Sequence, residues 1–302
     1  MDGILPLFKE RQMTSNDAVI KCRGIFQTKK VGHSGTLDPN VDGVLPICIG
    51  KATKVVNYLM ESGKKYKGQV TLGFATTTED LDGEKVEETP LKHPFLDEQI
   101  QQVMNSMTGK IIQIPPMYSA VKVKGKKLYE YARAGEEVER PQRTVEIKSF
   151  KMTAPSEFDE TTGLQKINFE VECSKGTYVR TLAVDLGKKL NVAAVMSDLT
   201  RLESGGFNLD QTFTFDQLQK LKAENRLEEA LYPISFALKD MKQLKLTDFQ
   251  WKIVKNGGFL QAKYVKLRED KIMLTYDGKV RAIYKFNQQK NVYQPDTMID
   301  LT

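Results

Sequence analysis

The residues best suited to chemistry lie in one glycine-punctuated stretch, Gly32-His33-Ser34-Gly35-Thr36-Leu37-Asp38-Pro39-Asn40-Val41-Asp42-Gly43. Its three glycines and its proline cannot sustain a helix or a strand, and bare backbone lets a ligand come close. Asp38 at the centre is a carboxylate able to act as a nucleophile. Two other readings stand beside that one. An aspartate before a proline commonly closes a surface turn on nearby backbone. Asp38, Asn40, Asp42 and Gly43 also match the first half of a calcium loop of the EF-hand type. That match then breaks: the place of the loop's closing bidentate glutamate is taken by Ile49, and residues 43–49 read as an apolar strand.

A cation far along the chain bears on the choice. Arg180 falls in the first turn of a helix expected to begin near Thr177, where the helix dipole disfavours a positive charge by roughly 0.3–1 kcal/mol. A carboxylate about 4 Å away is worth about 4 kcal/mol at an effective dielectric near 20, before desolvation, and outweighs that cost. Asp38 is the expected partner. Solvent, or a local acid such as Asp185, is the alternative.

The inventory narrows the chemistry further. Three cysteines, Cys22, Cys48 and Cys173, are an odd number without CxxC spacing, which fits neither a disulfide framework nor a zinc site and points to a reducing cytoplasm. Only two histidines are present, His33 and His93, so His-based metal cages are excluded and neither metal nor organic cofactor is expected. Carboxylates, Tyr, Lys and Arg must carry any reaction. No apolar run approaches the ~20 residues needed to cross a bilayer. Residues 4–8 are apolar but follow Asp2, contain Pro6 and precede Lys9-Glu10-Arg11, which is not a secretion signal. The net charge of +6 fits a polyanion partner and a soluble surface equally well.

The elements that position these residues follow from periodicity. Thr14 and Asp17 make a capping-box start for a helix over 15–27, with Val19, Cys22 and Phe26 at helical spacing. A strand at 44–49 and a helix at 52–60 come next. From 66 to 72 apolar and polar residues alternate, turning Tyr66, Val70 and Leu72 inward and Lys67, Gln69 and Thr71 outward. Residues 79–88 read as an acidic loop without a catalytic look, followed by a helix over 96–107 closed by Gly109. Residues 166–174 alternate strictly, and Val179, Leu182, Leu186 and Leu190 mark the helix that carries Arg180. Across 118–143, Lys122, Lys124, Lys126 and Lys127 interleave with Tyr118, Tyr129 and Tyr131. That composition suits an element closing on phosphates and bases, and suits a solvated helix as well. Length and 40% hydrophobic content allow one large and one small domain, divided as 1–240 and a β-rich 244–302 with a hairpin turning at Asp277-Gly278.

Several stretches, in order, resemble the TruB family of tRNA pseudouridine synthases. They are Gly32 to Pro39 with Gly43-Val44-Leu45-Pro46, Lys64-Lys65-Tyr66, Pro115-Pro116-Met117-Tyr118-Ser119-Ala120, and Ser174-Lys175-Gly176-Thr177-Tyr178-Val179-Arg180. The resemblance runs over about 13–207. It implies an α+β fold, with a mixed, mainly antiparallel sheet and flanking helices around a central RNA-binding cleft. It also implies a C-terminal PUA-like domain and a gripping insertion at about 118–143. By the same resemblance Asp38 is the catalytic aspartate, Arg180 its partner, and Tyr66 the tyrosine that packs on the target base. Leu199 is then a pocket residue, His33 holds the flipped-out nucleotide, and Gly35, Tyr178 and the four lysines join the substrate-binding set. Departures are small: Gln12 replaces a usual glycine, Asn16 a frequent histidine, Val41 a common alanine, and Thr200 a frequent arginine.

The implied reaction is conversion of uridine 55 of the tRNA T-loop to pseudouridine, with the T-loop and stem and the acceptor region as partners and no obligate protein partner. Breaking the N–C glycosidic bond, turning the uracil and joining C5 to the ribose neither loses nor gains atoms. Nothing redox is needed. A silent tRNA-binding protein or RNA chaperone would need the basic surface without the Asp38, Tyr66 and Arg180 set, and a calcium module is disfavoured by Ile49.

Overall fold

In the computed structural model, residues 1–265 and 267–302 are described. The frame is a ten-stranded mixed sheet. Seven strands form its path: β1 (Gly3–Lys9), β2 (Asp42–Ile49), β3 (Lys64–Leu72), β4 (Gly109–Gln113), β5 (Arg143–Met152), β6 (Leu164–Cys173) and β7 (Ala194–Ser204). Their spatial order is β1-β2-β7-β3-β6-β5-β4, antiparallel at every joint except the short parallel contact of β7 with β2. This is the α+β, mainly antiparallel sheet with flanking helices that the resemblance implies. At the parallel joint Thr200 lies beside Asp42 and Arg201 beside Gly43, so the end of the Asp38 loop is tied to the middle of the sheet.

Helix α1 (Ser15–Phe26) starts on the Thr14–Asp17 capping box and ends with Gln27 in the left-handed region, close to the expected 15–27. The expected helix over 52–60 is split into a 3-10 turn, Gly50–Val55, and α2 (Val56–Glu61). Helix α3 (Asp97–Ser106) ends at Met107, and Gly109 opens β4 rather than capping the helix. Helix α4 (Leu128–Ala134) and a hairpin of two two-residue strands, Lys122–Val123 and Lys126–Lys127, build the lysine-rich segment. Helix α5 (Val179–Lys189) carries Arg180 in its first turn.

Helices α1 and α5 bury Val19, Cys22, Leu182 and Leu186 against Tyr66, Val70, Val171 and other inward residues of the sheet. Thr71, expected to face out, is 3% exposed because β3 lies between β6 and β7 and its hydroxyl donates to Ser197 at 2.9 Å. Burial there is tolerated because the hydroxyl is paired.

Beyond 242 a five-stranded sheet follows, with Asp277 and Gly278 both at positive φ, +50° and +69°, as a two-residue hairpin of this hand requires. It has a core of its own around Leu246, Val254, Ile272 and Tyr284. A second cluster joins its Met273, Ile283 and Ile299 to Ile4, Val44 and Leu59 of the body. Lys51 donates to Asp300 at 2.7 Å across the same seam.

Candidate active site

The Asp38 loop runs between the short strand Val31–His33 and β2, and three buried side chains pin it. Ser15, the first residue of α1, accepts from the amide of Leu37 at 2.8 Å and donates to its carbonyl at 3.1 Å. Lys9, fully buried at the end of β1, donates to the carbonyls of Val41 (2.7 Å), Glu10 (2.8 Å) and Pro39 (3.1 Å). Burial pushes its ammonium down to about 8 against the upward pull of Asp42 and Asp38. Arg201, also fully buried, donates to the carbonyls of Val44 (2.7 Å), Gly35 (3.1 Å) and Thr36 (3.4 Å). Gly43 must be glycine: its φ is +111° and a Cβ would stand 2.2 Å from the Arg201 carbonyl.

Arg180 meets Asp38 across this loop. Its Nε lies 3.1 Å from Oδ2 and a terminal nitrogen 3.4 Å from Oδ1. The other contacts of the guanidinium are the carbonyls of Thr78 (2.8 Å) and Tyr118 (2.9 Å) and the carboxylate of Asp80 (3.3 Å). Its side chain is 6% exposed and that of Asp38 38%, so the arginine is embedded and the carboxylate stays partly open to solvent. Asp185 turns instead to Lys188. Burial raises the Asp38 carboxyl above its usual range; Arg180 opposes that rise and Asp80 adds to it.

The other residues anticipated from sequence cluster unevenly. Tyr66 is paired in β3 with Arg201 of β7 and is 6% exposed, its phenol raised by burial. Leu199 pairs with Gly68, where a Cβ would come within 2.9 Å of its methyl, so glycine there makes room for the leucine. His33 accepts from the Gly35 amide through Nδ1 at 3.3 Å, and burial together with Arg201 lowers its titration below the usual range. Gly35 holds φ +133°. Tyr178 is the N-cap residue of α5, its backbone clamped by both ends of the Gln113 amide at 3.0 and 3.1 Å.

The lysines do not act as one set. Lys122 and Lys124 are exposed on the hairpin, whereas Lys126 pairs with Glu136 at 2.9 Å and lies over Tyr131, and Lys127 donates to the Tyr129 hydroxyl at 3.3 Å. An open groove of about 720 Å³ beside Tyr118 is rimmed by Glu136, Glu137 and Glu139 with Arg140 as its one cation, so the groove itself is not a basic surface.

Sequence reasoning passed over four residues that shape this site: Lys9, Ser15, Asp80 and Arg201. Asp80 lies in the acidic loop that looked uninvolved. A signal existed for Arg201, a cation two positions from Leu199 and so on the same strand face as that anticipated pocket residue. The three would-be calcium ligands have separate partners: Asp38 has Arg180, Asn40 has Asp82 and Asp42 has Arg11. Among the described residues no group of three or more His, Cys, Asp or Glu is placed to hold a metal ion.

This arrangement coincides with a family match. Residues 23–179 match the model of the TruB family pseudouridylate synthase N-terminal domain, and residues 180–239 that of the tRNA pseudouridylate synthase B C-terminal domain. The chain belongs to the TruB family. It is 63% identical over 302 residues to the tRNA pseudouridine synthase B of Ligilactobacillus salivarius, covering 100% of both chains. To that of Pediococcus pentosaceus it is 56% identical over 299 residues, 99% of each. Among solved structures it is similar to a chain of a Cbf5-Nop10-Gar1 complex, with TM-score 0.70, 26% identity, and coverage of 99% of this chain and 84% of that one. A chain of an H/ACA RNP bound to a substrate RNA containing 2'-deoxyuridine shares the fold, with TM-score 0.71, 23% identity, and coverage of 99% and 85%. Within the TruB frame Gln12, where glycine is usual, has φ +62°, the left-handed backbone that glycine adopts without strain.

Proposed function

We propose that this chain isomerises uridine 55 of tRNA to pseudouridine, with Asp38 as nucleophile. The observation that carries the assignment is the side-on contact of a buried arginine with a partly exposed carboxylate. Arg180 favours the ionised form that burial disfavours, so Asp38 can add to the nucleotide and leave again. The N1–C1′ bond breaks, the uracil turns in place, C5 bonds to C1′, and the C5 proton is lost while N1 regains one. Tyr66, on the strand beside the loop, packs on the ring and assists loss of that proton. Leu199 and Tyr178 line the pocket.

The target lies inside a folded T-loop, and the nucleotide must be extruded at a cost of a few kcal/mol, offset by stacking and phosphate contacts. His33, with its titration lowered, acts there as a neutral donor through Nε2, since Nδ1 already accepts from Gly35. Lys122 and Lys124 contact the phosphates of the T-stem, and Lys126 and Lys127 brace Tyr131 and Tyr129. The domain from 244 onward acts as a PUA-like module gripping the acceptor region, and the protein works in the cytoplasm, where tRNA is matured. No helix among the described residues is long and apolar enough to cross a membrane. A silent tRNA-binding protein has no use for a carboxylate held against an arginine.

The test is to incubate unmodified tRNA with the pure protein and map pseudouridine by position. Conversion at 55 alone is expected. Conversion at another uridine, or none, overturns the substrate assignment.

A further inference from the structure

Lys64 and Arg201 are neighbouring cations for which no carboxylate partner exists among the ion pairs of the described residues. Arg201 is fully buried, donates to the carbonyls of Val44, Gly35 and Thr36, and lies beside the Tyr66 phenol. Lys64 is partly buried at the start of β3, two positions before Tyr66 and therefore on the same face, about 6.6 Å along the strand. Its ammonium reaches only the carbonyls of Met60 and Ser62, both at 3.4 Å, beyond the usual range for an N–H donor. The nearby Glu61 is held by Lys175. Burial, and then Arg201, pushes Lys64 down to about 8. Gly35 lies against both cations: a Cβ there would sit 3.5 Å from Lys64 Cε and 3.7 Å from an Arg201 nitrogen. A fully buried charge beside a partly buried one, with no counter-charge, is costly, and a bound anion would relieve the cost.

We infer that Lys64, backed by the field of Arg201 and reached across the bare backbone of Gly35, binds one phosphodiester of the RNA, the one joined to the nucleotide lodged on Tyr66. This rests on the functional reading above. The spacing fits it, since a base on Tyr66 carries its own phosphate about one nucleoside away along the same face. A lysine that only caps the end of α2 would answer to none of the following measurements except stability.

Binding of unmodified tRNA is measured against salt for the wild type, Lys64→Met and Lys64→Arg, with thermal denaturation as a check on folding. Loss of one phosphate contact is expected to lower the slope of log affinity against log salt by about 0.7–0.9, with Lys64→Arg retaining the wild-type slope. In parallel, T-arm hairpins carrying a neutral methylphosphonate at either phosphate flanking the target uridine are bound to each protein. At one position the substitution should weaken wild-type binding about tenfold and leave Lys64→Met unaffected. A wild-type slope in Lys64→Met, or an equal methylphosphonate penalty in both proteins, overturns the phosphate seat. Should Lys64→Met not fold, the methylphosphonate series on the wild type and Lys64→Arg decides, and no penalty at either position overturns it. Pseudouridine formation by the wild type on the same tRNA keeps the two readings apart: an inactive wild type contradicts the function, whereas an active one with an unaltered slope contradicts only the seat.

Discussion

Arg180 lies side-on to Asp38, 142 residues away in sequence, with Nε 3.1 Å from one carboxylate oxygen and a terminal nitrogen 3.4 Å from the other. The planar fork also serves the carbonyls of Thr78 and Tyr118, so its orientation is fixed from three sides. A lysine ammonium keeps the charge and loses the geometry. Arg180→Lys should therefore lower saturated turnover by at least ~100-fold, about 2.7 kcal/mol, with tRNA binding nearly intact. The reactive form is the carboxylate, so activity falls as pH drops through the Asp38 titration. Burial already raises that titration and Arg180 opposes the rise, so the variant's acidic limb should move to higher pH. A near-normal saturated rate with an unmoved limb would mean that the contact has no part in catalysis.

Asp80 contributes with the opposite sign. Its carboxylate anchors Arg180 at 3.3 Å, and its charge raises the Asp38 titration. In Asp80→Asn the anchor weakens and a negative neighbour is removed. Saturated turnover should fall by about tenfold, roughly 1.4 kcal/mol, while the acidic limb moves to lower pH. A pH–rate profile shifted the same way as that of Arg180→Lys would show that Asp80 acts on Asp38 only through Arg180.

Gly43 is constrained by backbone rather than chemistry. With φ at +111° and the Arg201 carbonyl 2.2 Å from a built Cβ, Gly43→Ala must force β2 and β7 apart at their parallel joint. The expected loss is at least about 2 kcal/mol in urea denaturation. A loss below about 0.5 kcal/mol would show that the joint yields easily.

Local pattern carried the α1 capping box, the alternation of β6, the hairpin at Asp277-Gly278 and the inward turn of Tyr66, because each is written within a dozen residues. The Asp38–Arg180 contact was legible for a different reason: a cation in the first turn of a helix contradicts the dipole and asks for a distant partner. What local pattern cannot carry is the geometry of the supporting shell. Lys9 and Arg201 are buried by strands paired far along the chain, and Asp80 enters the site only because its loop pairs with Met196 of β7. Lys126 and Lys127 match Lys122 and Lys124 in type, yet their fates diverge with the hairpin and the Glu136 beside it. The cluster that joins the two sheets was equally invisible, since each of its residues reads as an ordinary core position of its own element.

The nucleophile is tested most directly by Asp38→Asn, which keeps the shape of the side chain and its place beside Arg180 while removing the attacking charge. Pseudouridine at position 55 is counted after incubation of saturating protein with unmodified tRNA, alongside the dissociation constant of the same complex. Conversion below ~1% of the wild-type rate is expected, since loss of covalent catalysis costs several kcal/mol, with the dissociation constant within a few-fold of wild type. Residual turnover above ~1%, with the protein folded and tRNA bound, would contradict Asp38 as the nucleophile.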